Sequence, residues 1–151
     1  MKTRSKIKLN EYQALAEIRF LIRNYLRFSE NGARAAGLEP QQHQLLLAIK
    51  GLPEDSVATV GELARRLQIQ HHSTVELVDR LVKRGLVRRQ QAGVDRRMVM
   101  LGLTAKGEKI LNKLSLDHSD ELRILAPELV GAIRRLIPAA GRSRAQRTTK
   151  S

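Results

Sequence analysis

The chain has 151 residues, 42% of them apolar, which suits one domain with a real core but with limited surface to bury on its own. Lysine and arginine number 28 against 15 acidic residues, a formal net charge of +13, so a partner with a dense negative field is expected, either nucleic acid or an anionic membrane surface. The lack of cysteine excludes disulfides, thiol redox sensing and cysteine-ligated zinc and fits a reducing cytosol. No apolar run reaches the roughly 18 residues of a membrane span, and the basic start MKTRSKIKLN leads into no signal-peptide core, so a cytoplasmic protein is expected.

Residues 1–8 and 139–151 are polar, basic and without periodicity, and are expected to be disordered; the second stretch carries Arg142, Arg144, Arg147 and Lys150. Between them, residues 9–138 read as a single domain. Residues 9–30 form one long helix, with Leu15, Ile18, Ile22 and Tyr25 on a stripe that Leu21 and Phe28 widen. Gly32 and Gly37 interrupt that pattern, and Pro40, at a first-turn position, opens a second helix through about Lys50 that buries Leu45, Leu46 and Ile49.

After the loop GLPEDS, a short strand near Val57 leads into two helices, about 60–67 and 71–84, separated by Gln68, Ile69 and Gln70. Two β-rich runs follow, 86–91 and 97–103, around the polar turn 92–96. Thr104 can N-cap a helical region to about Ala126, and Pro127 opens a last helix ending before Pro138. Leu111, Leu114, Leu122, Leu125, Leu129, Ile133 and Leu136 carry the apolar stripe of this region. Two close helices followed by a β-hairpin are the plan of a winged helix-turn-helix, here about 40–104. The fold class is mainly α with a small β-wing. The flanking helices, about 9–35 and 105–138, are apolar beyond what that module needs, and their simplest use is pairing with each other and with a second chain.

Val60, Leu63, Ala64 and Leu67 bury one side of the first short helix, and Thr74, Leu77, Val78 and Leu81 bury one side of the second. At about 100° per residue His72, Glu76, Asp79 and Lys83 then point away from the core. A helix packed by one side and polar on the other can lie in a major groove and read base edges, with its N-terminal part deepest. His71, His72, Ser73, Val75 and Glu76 are therefore the base-reading candidates, with Arg80 on the flank. On the hairpin, Arg88 and Arg89 lie on the first strand and Arg96 and Arg97 follow Asp95 at the turn. Guanidinium groups on an extended tip suit a minor groove, and the Asp95 carboxylate can hold an arginine fork in shape.

The run LARRLQIQHHSTVELVDRLVKRGLVRR, followed by DRRMVMLGLTAKG, resembles the recognition helix and wing of MarR-family regulators. Asp95, Arg97, Leu103, Thr104 and Gly107 occupy the positions of the family's wing signature, and the likeness is close over residues 57–107. The resemblance implies a homodimer held by the terminal helices, one winged module on each half of a palindromic operator, and Arg97 in the minor groove. It also implies a small aromatic or phenolic effector, for which Tyr12, Tyr25, Arg27, Phe28 and His43 are candidates by type and location. The sequence departs from the pattern at Gln70, His71 and His72, where a Ser or Asp cap and a basic residue are commoner. It departs again at Glu76, an acid that repels phosphate but can accept from cytosine N4.

No metal or other cofactor is expected. Of the four histidines, His43, His71, His72 and His118, the adjacent pair diverges by about 100° on a helix and would chelate poorly. Protonated, His71 or His72 would gain affinity for phosphate. No phosphate loop, nucleophile elbow or paired carboxylates support an enzyme. The competing readings are a non-specific architectural DNA binder and a protein-interaction module that no longer touches DNA.

Overall fold

A computed structural model describes residues 6–91 and 97–137. Five helices and one hairpin follow in the order α1 (Leu9–Ala35), α2 (Pro40–Lys50), α3 (Val60–Leu67), α4 (His71–Lys83), β1 (Val87–Gln91), β2 (Val99–Leu103) and α5 (Ala105–Leu136). These fall into two compact units. One takes α1 up to Phe28 with α5 from Ser119, and the other spans Ser29–His118.

The second unit holds the core. Leu38, Leu45, Leu46, Leu63, Leu77, Val78, Leu81, Leu86, Val87, Leu101, Leu103, Leu111 and Leu114 are all buried in one cluster. Each helix is started by local chemistry. Pro40 supplies the fixed φ of a first turn in α2, where the Gln42 side chain accepts from the Glu39 amide at 3.0 Å. Thr59 caps α3 by accepting from the Glu62 amide at 3.2 Å. The turn between α3 and α4 passes through Gln68 in the left-handed region, φ 55, so that Ile69 drops onto the core.

The hairpin is a two-stranded antiparallel sheet in which Val87 pairs with Leu103, Arg88 with Gly102 and Arg89 with Leu101. Its base is locked by Thr104. The Thr104 hydroxyl donates to the Gly85 carbonyl at 2.6 Å and accepts from the Gly107 amide at 3.1 Å, and the Thr104 amide donates to the Leu86 carbonyl at 3.1 Å. As the pattern around Thr104 leads one to expect, it caps α5. Gly107 is required by contact, since a Cβ there would lie 2.2 Å from the Leu86 carbonyl oxygen. Between α2 and α5, Lys50 Nζ meets Glu108 at 2.8 Å and holds that carboxyl below its ordinary range.

Four expectations are corrected. The two helices expected on either side of Pro127 are one, α5. Proline removes a single backbone bond to the carbonyl four residues earlier, and the half-buried line of Glu121, Leu125 and Leu129 continues through it to buried Ala132. No strand forms near Val57. The Thr59 amide turns back onto the Val57 carbonyl at 2.8 Å to enter α3, leaving one sheet-like bond, from the Leu101 amide to the Ala58 carbonyl at 2.8 Å. Gly32 does not interrupt α1 but lies within it, where the imidazole of His118 comes 3.2 Å from the position a Cβ would take.

The stripes of the long helices are also shifted. In the first unit the covered line on α1 is Glu11, Ala14, Ile18, Leu21 and Tyr25, while Leu15, Ile22 and Phe28 are exposed along with Leu26. On α5 the exposed apolar residues include Leu122, Val130 and Ile133. Glu11 is buried near the start of α1, where it accepts from the Lys8 amide at 2.9 Å.

Replacing Gly107 with alanine should destabilise the protein, despite the better helix propensity of alanine, toward the upper end of about 1–3 kcal/mol for overpacking against backbone. Urea unfolding of Gly107→Ala beside an Ala105→Gly control would measure it.

Candidate nucleic-acid interface

Helix α4 carries the first part of the candidate site. Thr74, Leu77, Val78 and Leu81 are buried, which turns His72, Glu76 and Lys83 outward, all exposed. His71 is exposed and Ser73 and Val75 are half-buried at the beginning of the helix, while Arg80 is exposed one turn before the end. The N-cap, Gln70, makes no side-chain cap; instead the Thr74 hydroxyl donates back to the Gln70 carbonyl at 3.0 Å. The first amides of α4 thus have no capping side chain at Gln70, and the N-terminal end of the helix dipole faces a cleft bordered by Gln41, Gln68, Gln70, His71 and Ser73.

The hairpin supplies the second part. Period-two alternation puts Arg88 on one face of β1 and Arg89 on the other. Arg88 stands opposite Gly102, and the space a Cβ would take there is shared by the Gln90 amide, with Nε2 2.8 Å from that position, and the Arg88 guanidinium, with Nε at 3.4 Å. Arg89 shares the face of Val87 and Leu101, which leads it to α4, where it forms an ion pair with Asp79. Arg97 is exposed at the start of the return strand. A cleft of about 400 Å³ lined by Thr59, Val60, Gly61, His71, Arg97, Met98 and Val99 brings the starts of α3 and α4 together with the wing. Asp95 and Arg96 lie outside the described residues.

Charge on α3 is partly compensated, one carboxylate serving two guanidiniums. Glu62 accepts from Arg65 at 2.7 Å and 3.0 Å and from Arg66 at 2.8 Å. Those hydrogen bonds, Arg65 first and Arg66 second, bring its pKa down to about 2. Arg80 and Lys83 of α4 and Arg88 of the hairpin add exposed positive charge, whereas Arg89 is occupied by Asp79.

The five effector candidates are distributed over both units. Tyr12, Arg27 and Phe28 are exposed, Tyr25 is half-buried with its hydroxyl pKa pushed up by burial, and His43 is buried in the core unit. Two features escaped sequence reasoning. The Asp79–Arg89 pair needs the strand register to be seen, and the seat of Arg88 over Gly102 is announced only by a glycine inside a strand pattern. Among the described residues no group of three or more His, Cys, Asp or Glu could hold a metal ion, and no helix is long and apolar enough to cross a membrane.

This arrangement defines a winged helix-turn-helix protein. A model of the MarR family matches residues 36–98. The uncharacterized HTH-type transcriptional regulator YsmB of Bacillus subtilis is 34% identical over 65 residues, 43% of this chain and 44% of that protein; the chain spans about half the length of the curated relatives it matches. The structure of a MarR family protein from Bacillus stearothermophilus superposes with a TM-score of 0.66 at 25% identity, covering 96% of this chain and 100% of that one. In fold alone, the chain is also similar to an S. aureus MepR mutant bound to an oligodeoxyribonucleotide, with a TM-score of 0.61, 16% identity and coverage of 93% and 92%. The likeness to the MarR family by sequence thus covers residues 36–98, the winged helix-turn-helix part of the chain.

Adjacent residues of α4 should behave oppositely on truncation. Leu77→Ala should cost about 2–5 kcal/mol of stability because it hollows the seam between α3 and α4, whereas Glu76→Ala should stay within about 0.5 kcal/mol. Parallel denaturant titrations read both.

Proposed function

We propose that the chain is a transcription regulator that binds duplex DNA as a homodimer and reads sequence with α4. The observation that carries this is the pairing of a helix packed by one side, with polar groups on its open face, and a hairpin beside it that exposes Arg88 and Arg97. In this reading His71, His72, Ser73, Val75 and Glu76 meet base edges in the major groove. Arg80 and Arg88 neutralise phosphates and Arg97 enters the adjacent minor groove with Arg96, shaped by Asp95. Glu76 narrows the permitted bases at some cost in phosphate attraction.

A second copy of the chain is the expected cover for the apolar residues that α1 and α5 leave exposed, among them Leu15, Ile22 and Leu26 on α1 and Leu122, Val130 and Ile133 on α5. Two-fold pairing gives a palindromic operator with half-sites about one helical turn apart. Such a dimer would act as a repressor by occupying a promoter. Release by a small aromatic or phenolic effector contacting Tyr12, Tyr25, Arg27, Phe28 or His43 completes the scheme. The charge of +13 favours a second reading, an architectural protein that binds DNA without choosing sequence.

Selection of the purified protein against a random duplex library at physiological salt separates the two, because an enriched inverted repeat is expected only of the regulator. On the selected site Arg97→Ala should lose about 1–3 kcal/mol of binding, with the unfolding midpoint unchanged. A shifted midpoint would make Arg97 structural instead.

A further inference from the structure

Outside the proposed interface, the core unit contains two buried imidazoles packed against each other. His43 on α2 is 4% exposed and His118 on α5 is 5% exposed; their ring centroids are 4.9 Å apart and their planes meet at 77°, edge to face. Their place is set by α1, whose Gly32 has no side chain where His118 Nε2 passes, 3.2 Å from the position of a Cβ. Nε2 of His43 is buried and has no hydrogen-bond partner among the described residues. Three helices therefore meet on a pair of titratable rings at a position where two leucines would pack without any dependence on pH.

We propose that the His43–His118 pair is a proton-operated clasp that closes α2 on α5 beneath Gly32 of α1 when both rings are neutral and loosens when they are charged. A proton on His43 must be held in a buried site with no acceptor at Nε2 and with a second imidazole under 5 Å away. Two imidazoliums at that separation repel in a poorly hydrated setting, and the relief available is for the helices to part and admit water.

The groups bearing on the rings set the order of events. From α5, Asp117 favours charge on His118, and from α1 so does a hydrogen bond with the Ser29 backbone; burial opposes both and prevails, so that the His118 pKa is lowered. His43 is lowered too, by burial first and by His118 second. The first proton accordingly goes to His118, and its charge makes the second, on His43, harder to add. The folded protein binds fewer protons than the unfolded chain below the ordinary histidine pKa of about 6.5. The stability contributed by the neutral pair is thus complete above about pH 6.5 and is lost as pH falls from there toward the lowered folded values. Leu45 and Leu46 of the same α2 share the core with Leu63 and Leu77, so the loosening reaches the helix that reads DNA in the proposed function. That last consequence rests on the functional reading, whereas the clasp itself does not.

The test needs no DNA. Unfolding equilibria of the full chain between pH 7.5 and 5.5 should show the unfolding constant rising as pH falls, with uptake approaching roughly two protons per molecule at the acid end. His43→Phe, which keeps an edge-to-face ring without a titratable group, should lose about half of that uptake, and the double variant with His118→Phe should lose nearly all of it. His71 and His72 are common to every variant and cancel in the comparison. Should the double variant fail to fold, imidazole Cε1–H resonances of the wild type decide: two rings that resist protonation well below the midpoint of an unstructured histidine peptide support the clasp. Titration of all four histidines at the peptide value in a protein that stays folded overturns it, as does an acid slope unchanged by His43→Phe.

Discussion

The placement of the hairpin depends on one close approach, the first turn of α5 lying backbone to backbone against the Leu86 carbonyl. Gly107 permits it and the Thr104 hydroxyl secures it, by donating to Gly85 and accepting from Gly107. The end of α4 and the beginning of α5 are thereby joined through one side chain, and both ends of the hairpin are fixed at once. Val87 and Leu103 follow into the core as a facing pair, and the alternation of the strands does the rest, turning Arg88 away and Arg89 toward α4. The direction of the wing arginines is thus decided some distance from them, by a threonine and a glycine.

Charge in the core unit is arranged rather than merely abundant. Glu62 takes up Arg65 and Arg66, Glu108 takes up Lys50, and Asp79 takes up Arg89. Arg65, Arg66, Lys50 and Arg89 all lie off the outward face of α4, and Glu108 also feels the charge of Arg88 on the outer face of the strand. These three acids offset part of the positive charge, while Glu76 places an acid on the open face of α4 itself. A basic protein without that compensation would attract polyanions with every surface it has.

Much of this was legible in the residues. α2, α3, α4 and the hairpin were located to within about two residues, because each buries a narrow face against a common core and so shows a clean period. The polar face of α4 followed from the same periods, and Arg88 and Arg89 fell on the first strand as expected. The long helices were harder for a physical reason. Periodicity reports that a face is apolar but not what will cover it, and α1 has two such faces, one buried under Leu21 and one exposed along Leu15 and Ile22. Pro127 and Gly32 read as breaks because local propensity disfavours them, whereas a half-buried line runs on through Pro127 and the close His118 imidazole leaves room at Gly32 only for a residue without a side chain. Asp79 and Arg89 could each be placed on its own element, but their meeting required the strand register, which no local pattern contains.

The Asp79–Arg89 pair has a bearing on how the module responds to its ionic surroundings. It is a surface pair that spans from the helix to the hairpin, and dissolved salt screens it as it screens any contact with a phosphate. Concentrated electrolyte therefore acts on this module in two places, diluting its attraction for a polyanion and slackening the brace that keeps the wing aligned with the helix. In the proposed function a misaligned wing would present its remaining cations out of register with a rigid duplex. Release in rising salt would then be steeper than the number of ionic contacts to the partner implies, because one of the ions being screened belongs to the protein's own frame.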